Sequence, residues 1–455
     1  MSGTSGRNTL GPLSGYLSIL GIAIVFFGWF ASPSEAYSST TSPALNQLTG
    51  ETRTSSSKSV VSYQLPPETE QKARRKYLWV AFLYFLSVFY EFAVLVFLLD
   101  RKWVQKMRDR AEGLYATRWG QSWSVIPRFW LTYCLLLLPL EVFVQYVGAK
   151  FVPGTPGWVP WVFSWGSSFV SGSIAFPILA CMIYALIAKS PRGWWLYLGL
   201  SAELISVVVL SGLAFGTGNE FFALRLDHPE LVTQIQKLAA RDQVQIPELD
   251  IRERSAMEPA SPPNAYASGF GSRRRIVIWA NAIAKLNADQ MSFVASHEIG
   301  HYRLNHPLKM VLFSSVVSIL FMFCGYRFAV WLLRRWGEIW GIPNLRDWTS
   351  LPLLLLAFTA VMPIQGVVEN AYQWNQEVQA DEYGLELIHG TIPAPNLAAA
   401  QALQILGEES LEYNHSNTIA DIFLSDHPSI VNRIKLILSY DPWQKGRQPK
   451  FVKER

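Results

Sequence analysis

The apolar residues of this chain fall in long unbroken runs rather than in the short periodic stretches of a soluble protein. Runs close to the roughly 20 residues that carry a helix across a bilayer occupy 16–32, 77–99, 126–148, 168–188, 194–215, 309–333 and 351–369. They predict about seven membrane-spanning helices. Between 216 and 308 the pattern becomes that of an extramembrane domain: Leu231, Ile235 and Leu238 recur at amphipathic helical spacing within 227–240. Residues 264–268 and 274–279 read as two short strands joined across Gly269 and Gly271, the second carrying Ile276, Val277, Ile278 and Trp279. Asn287, with Gln290 three residues on, makes a capping-box pattern that opens a helix expected to run until Pro307. The last apolar run continues as a polar helix through Glu377 and Asp381, and the rest of the chain reads as soluble helices.

Composition agrees with a membrane location. Half of the 455 residues are apolar and 16% are charged, against about 25% charged in a soluble protein. Trp123, Trp130, Trp161, Trp165, Trp194, Trp195, Trp336 and Trp348 flank the runs, where indoles favour the interface. The first run, followed by Ala31, Ser32 and Ala36, reads as a retained helix, with a cleaved signal peptide as the alternative. Residues 33–66 are rich in Ser and Thr and read as a loop, 100–125 as a short basic connector, and 189–193 as a tight helical hairpin. Cys134, Cys181 and Cys324 lie inside predicted spans and read as packing residues. The net charge of +5 comes largely from 72–76, 101–110, 273–275 and the C-terminal tail, which suits lipid headgroups; no nucleic-acid module is visible. Glu91, Glu141 and Glu203 fall inside predicted spans, where they either line a functional cavity or pair with a residue such as Arg327.

His297-Glu298-Ile299-Gly300-His301 carries the chemistry. Two imidazoles at i and i+4 share one helical face and can ligate one zinc ion at about 2.0–2.1 Å, with Glu298 beside them as general base. A catalytic zinc takes three protein ligands and keeps one position open. Glu377, with Asp381 one turn on to orient a ligand histidine, is the best third ligand in the chain, although a carboxylate pair at that spacing is ordinarily a solvated helix face. His306 lies off the stripe of His297 and His301 and reads as a helix-end residue. On its own, His427 before Pro428 reads as a capping histidine, and Arg433 as a surface ion-pair partner.

Several segments together resemble the CAAX prenyl protease type of integral-membrane zinc metalloprotease and its bacterial relatives. They are Asn264-Ala265-Tyr266, Arg275-Ile276-Val277-Ile278, His297 through His306, Glu377-x-x-Ala380-Asp381, and Asp426 through Arg433, all in order between about 160 and 440. The resemblance implies His297, His301 and Glu377 as ligands of one Zn2+ per chain, Glu298 as catalytic base and Asp381 as the residue orienting a ligand. It further implies His427 and Arg433 as supports of the oxyanion, and Asn264 and Ala265 as an edge strand holding the substrate backbone.

The expected fold is then mainly α: a polytopic membrane protein with about seven transmembrane helices and a split α+β zincin-like catalytic domain. Residues 1–76 hold the first helix and its loop, 77–215 helices two to five, 216–308 the first catalytic part, 309–370 helices six and seven, and 371–455 the second catalytic part and tail. The expected activity is a zinc metalloendopeptidase acting on a peptide or protein, prenylated or membrane-bound. The first 160 residues match neither prenyl-processing eukaryotic members nor quality-control bacterial ones closely, and a multi-pass protein of a bacterial inner membrane is favoured. The competing reading is a membrane transporter or scaffold with a structural zinc, against which Glu298 and the absence of a nearby Cys both argue. Sidedness is contested: the family layout places the site in the cytosol, whereas Lys and Arg in the loops at 100–125, 189–193 and 334–347 place it on the opposite side.

Overall fold

The computed structural model describes residues 62–152, 155–215, 223–225, 228–244, 251–254, 263–268, 275–444 and 446–452. The run at 16–32, most of the Ser/Thr-rich loop and the turn at Gly269 and Gly271 lie outside the described residues. The chain is mostly helical. The described residues begin with α1 (Pro67–Asp100), α2 (Trp103–Leu114), α3 (Arg118–Phe151), α4 (Trp158–Lys189) and α5 (Trp194–Phe215). β1 (Ala223–Arg225), α6 (Pro229–Arg241), β2 (Ile251–Arg254), β3 (Ala265–Ser268), β4 (Arg275–Trp279), α7 (Ala280–Lys285) and α8 (Ala288–Arg303) follow. The chain ends with α9 (His306–Trp340), α10 (Leu351–Ile388), α11 (Pro395–Glu409), α12 (Thr418–Leu424) and α13 (Ile430–Ser439).

Five described helices are long and apolar enough to cross a membrane: α1, α3, α4, α9 and α10 with its preceding turn. The segment 194–215 is also helical, as α5. On α9 the side chains of Leu308, Leu312, Val316, Leu320 and Phe323 are exposed along one stripe, and Val170, Ile174, Ile178 and Met182 form another on α4. Apolar stripes of that length facing outward require lipid as solvent. Opposite faces pack inward in a cluster that joins Phe129, Tyr133, Phe176, Trp194, Ala329 and Phe358. The chain is a multi-pass integral membrane protein.

The connector expected at 100–125 is instead helical, made of α2 and the start of α3, with Thr117 capping α3 by accepting from Gly120 N at 3.2 Å. Gln105 reaches across to the carbonyls of Trp340 and Gly341, and Arg108 pairs with Asp347. The cationic loops thus gather at one end of the bundle. At the other end, Lys76 donates to the carbonyl of Ser410, and Tyr77 Oη accepts from Asn417 N, so α1 starts against the C-terminal helices.

The intramembrane carboxyls find neutral donors on neighbouring helices rather than Arg327. Glu91 accepts from Tyr133 Oη and Thr359 Oγ1, Glu141 from Trp165 Nε1, and Glu203 from Ser315 Oγ.

The four strands among the described residues form one sheet in the order β1-β2-β4-β3. β3 pairs antiparallel with β4 in the register Ala265↔Ile278 and Ala267↔Ile276, as the hairpin pattern predicts. β2 runs parallel to β4, a long-range pairing that periodicity alone could not supply. One apolar core joins Ile235, Ile276, Ile278, Phe293 and Ile299 from before α9 to Leu385, Leu403 and Ile434 from beyond it.

Candidate active site

α8 opens as its capping box requires: Asn287 Oδ1 accepts from Gln290 N, and Gln290 Oε1 accepts from Asn287 N, both at 3.0 Å. Its end differs from expectation. The helix stops at Arg303 because Asn305 adopts the left-handed conformation (φ 54°, ψ 36°), and Pro307 lies in the first turn of α9 rather than terminating α8. Asn tolerates that conformation better than most residues.

Glycines let α8 and α10 approach closely enough for one site to form between them. A Cβ on Gly384 would stand 3.2 Å from His297 N, and one on Gly300 would stand 2.9 Å from the ring of Tyr383. The backbone at His297 has no rotamer with which to yield. Gly384→Val is therefore expected to cost about 1–3 kcal/mol by overpacking, seen as a lowered Tm in detergent; an unchanged Tm would show that the helices can separate freely.

The structure brings His297, His301 and Glu377 together, their ligand atoms all within 4.8 Å of one another and all three residues buried. Nε2 of His297 and Nε2 of His301 face each other at 3.1 Å. They lie 3.4 Å and 3.5 Å from Glu377 Oε2 and Oε1 respectively. Glu377 Oε2 is buried without a hydrogen-bond partner. The far ring nitrogen of each imidazole is taken: His297 Nδ1 meets Asp381 Oδ1 at 3.0 Å and His301 Nδ1 meets His306 Nδ1 at 3.1 Å. Two imidazole nitrogens and a carboxylate converging without a donor between them are a donor set suited to a divalent metal.

The surroundings are ordered around this cluster. Asp381 accepts from Arg433 Nε at 2.8 Å and Nη2 at 2.7 Å, a paired contact that orients the carboxylate toward His297. His427 Nε2 stands 3.3 Å from Glu377 Oε1, and its Nδ1 is 2.7 Å from Asp426 Oδ1. Glu298 Oε2 accepts from Ala267 N at 2.9 Å, which ties the carboxylate to the edge strand β3. Asn264 lies just before that strand, its carbonyl accepting from Trp279 N at 2.9 Å, and Ala265 is its first residue. Of the β3 residues, it is Ala267 that reaches Glu298, a contact the alternation of the strand allows and no motif marks. His306, taken from its spacing as a helix end, is 2% exposed and lies against His301.

Burial pushes Glu298 up to about 7, with Glu377 adding to the shift and His297 and the Ala267 N–H opposing it. Burial disfavours charge on His297, but Asp381 and Glu377 outweigh it and lift it to about 10. Burial holds His301 well below the usual histidine range despite Glu377. His427 is lifted to about 9, its burial outweighed by Glu377 and Asp426.

Residues 225–441 match the profile of peptidase family M48. The chain is 28% identical over 364 residues to a protein named uncharacterized metalloprotease YhfN of Bacillus subtilis, a match covering 78% of this chain and 82% of that one. The match to M48 peptidases, the relative named a metalloprotease and the apolar helices together support a membrane metalloprotease. A protein named CAAX prenyl protease 1 homolog of Arabidopsis thaliana is 26% identical over 277 residues, which span 59% of this chain and 62% of that relative. The fold is that of the crystal structure of S. mikatae Ste24p, with a TM-score of 0.63 at 19% identity over 83% of this chain and 90% of that one. The protease is thus a metalloendopeptidase, and the scaffold or transporter reading gives way.

Proposed function

We propose that the protease binds one zinc ion through His297, His301 and Glu377 and hydrolyses peptide bonds with Glu298 as general base. The observation that carries this reading is the meeting of His297, His301 and Glu377 from two helices on one point, with the Glu298 carboxylate buried beside it. When bound, zinc supplies a Lewis acid that lowers the pKa of water at its open position toward 7 and polarises the scissile carbonyl. Glu298, held toward β3 by Ala267 N, takes a proton from the attacking water and returns it to the leaving nitrogen. An extended substrate adds to the edge of β3 near Asn264 and Ala265, so that its backbone is gripped by main-chain hydrogen bonds. His427, steadied by Asp426, donates to the oxyanion. Asp381 keeps the proton of His297 on Nδ1 and leaves Nε2 for the metal, and Arg433 acts through Asp381 by holding it in that position.

The catalytic unit is split in this reading: 216–308 and 371–455 share one core and are joined by the α9–α10 hairpin, which anchors the site to the membrane surface. Membrane-bound or prenylated proteins of a bacterial membrane are the substrates proposed. The test is cleavage of unfolded casein and of a prenylated CAAX peptide by the purified chain in detergent. Both activities, or casein cleavage alone, should stop on chelation and return with zinc. Cleavage that persists through complete metal removal would sink the reading. Chelation should also lower Tm, because zinc binds only the folded protein.

A further inference from the structure

We propose that His306 is a positioning residue that holds His301 in the tautomer able to bind metal. This rests on the reading of His301 as a zinc ligand. Two ring nitrogens 3.1 Å apart, His301 Nδ1 and His306 Nδ1, can share only one proton in a hydrogen bond. If His301 donates, its Nε2 lone pair is free and points at the space bounded by His297 Nε2 and Glu377 Oε1. If His306 donates, the proton of a neutral His301 is forced onto Nε2 and blocks that space. Metal binding through His301 Nε2 therefore requires the arrangement in which His306 Nδ1 accepts. His297 receives the equivalent service from Asp381. The two ligands are thereby held by different chemistries, a carboxylate for one and a neutral imidazole for the other.

His306 cannot ligate the same ion, because its ring approaches the Nδ1 edge of His301 while the Nε2 edge faces the other ligands. The rings meet edge to face, with centroids 5.0 Å apart and an interplanar angle of 79°. Backbone conformation makes the contact possible. Had α8 continued, a residue five positions beyond His301 would lie about 140° round the helix. The left-handed Asn305 breaks the helix and turns His306 back onto His301, where it is 2% exposed.

The experiment measures zinc affinity of the full chain in detergent by competition with a chromophoric chelator, and the absorption spectrum of the cobalt(II)-substituted protein. His306→Leu removes the acceptor, while His306→Asn keeps an oxygen near the Nδ1 position. His306→Leu should weaken zinc binding by about 10–100-fold and alter the cobalt spectrum, and His306→Asn should recover most of both. Wild-type affinity and spectrum in His306→Leu would overturn the proposal. So would equal weakening in the two variants accompanied by an equal fall in Tm of the metal-free protein, since that marks packing alone. Wild-type protein that binds zinc no better than His297→Ala would instead overturn the assignment of the metal site.

Discussion

Glu298→Gln should lower kcat by about 10²–10⁴-fold while leaving zinc content unchanged. Gln has nearly the same shape as Glu, and its amide oxygen can still accept from Ala267 N, the bond that now fixes Glu298 Oε2 at 2.9 Å. The side chain then loses its ability to carry a proton and little else. Metal analysis and cleavage of the same substrate by both proteins decide the matter. Retained activity would mean that another group activates water, and loss of zinc would mean that Glu298 supports the metal rather than the proton transfer. Burial pulls this carboxyl upward, the direction that favours taking up a proton.

Arg433→Met should destabilise the protein by about 3–5 kcal/mol and weaken zinc binding by about 10–100-fold. Asp381 is 0% exposed, and both of its oxygens accept from Arg433. Taking away the guanidinium leaves a carboxylate buried without its cation, and the carboxylate must then protonate or shift. Either response releases His297. Arg433→Lys should recover only part of the loss, because an ammonium cannot reproduce the paired Nε and Nη2 contacts. Unfolding in detergent together with chelator competition reads both effects. A variant that melts like wild type would show that Asp381 is compensated from elsewhere.

How far the site could be read along the chain varied with the distance over which each signal acts. The capping box at Asn287, the amphipathic face around Ile235 and the β3–β4 hairpin are local, and the structure contains all three. Local signals mislead where a single backbone conformation intervenes. Pro307 looked like the stop of α8, yet the left-handed Asn305 ended it. The basic run after residue 100 looked like a connector because its charges mask the helical face on which Val104 and Ala111 are buried.

The sequence by itself determined that the chain carries membrane-length apolar helices, that His297 and His301 share a helical face, and that Glu298 lies beside them. These follow from composition and from spacings shorter than two helical turns, within which backbone geometry leaves little freedom. Only the tertiary structure decided that Glu377, 76 positions beyond His301 by the numbering, closes on the same point. It also decided that Arg433 reaches the His297–His301–Glu377 cluster through Asp381, that Ala267 rather than Asn264 touches Glu298, and that His306 backs His301. The reason is physical. Helix periodicity correlates residues over a few turns, whereas the pairing of α8 with α10 depends on the close approach allowed by Gly300 and Gly384 and on a core shared across a membrane hairpin.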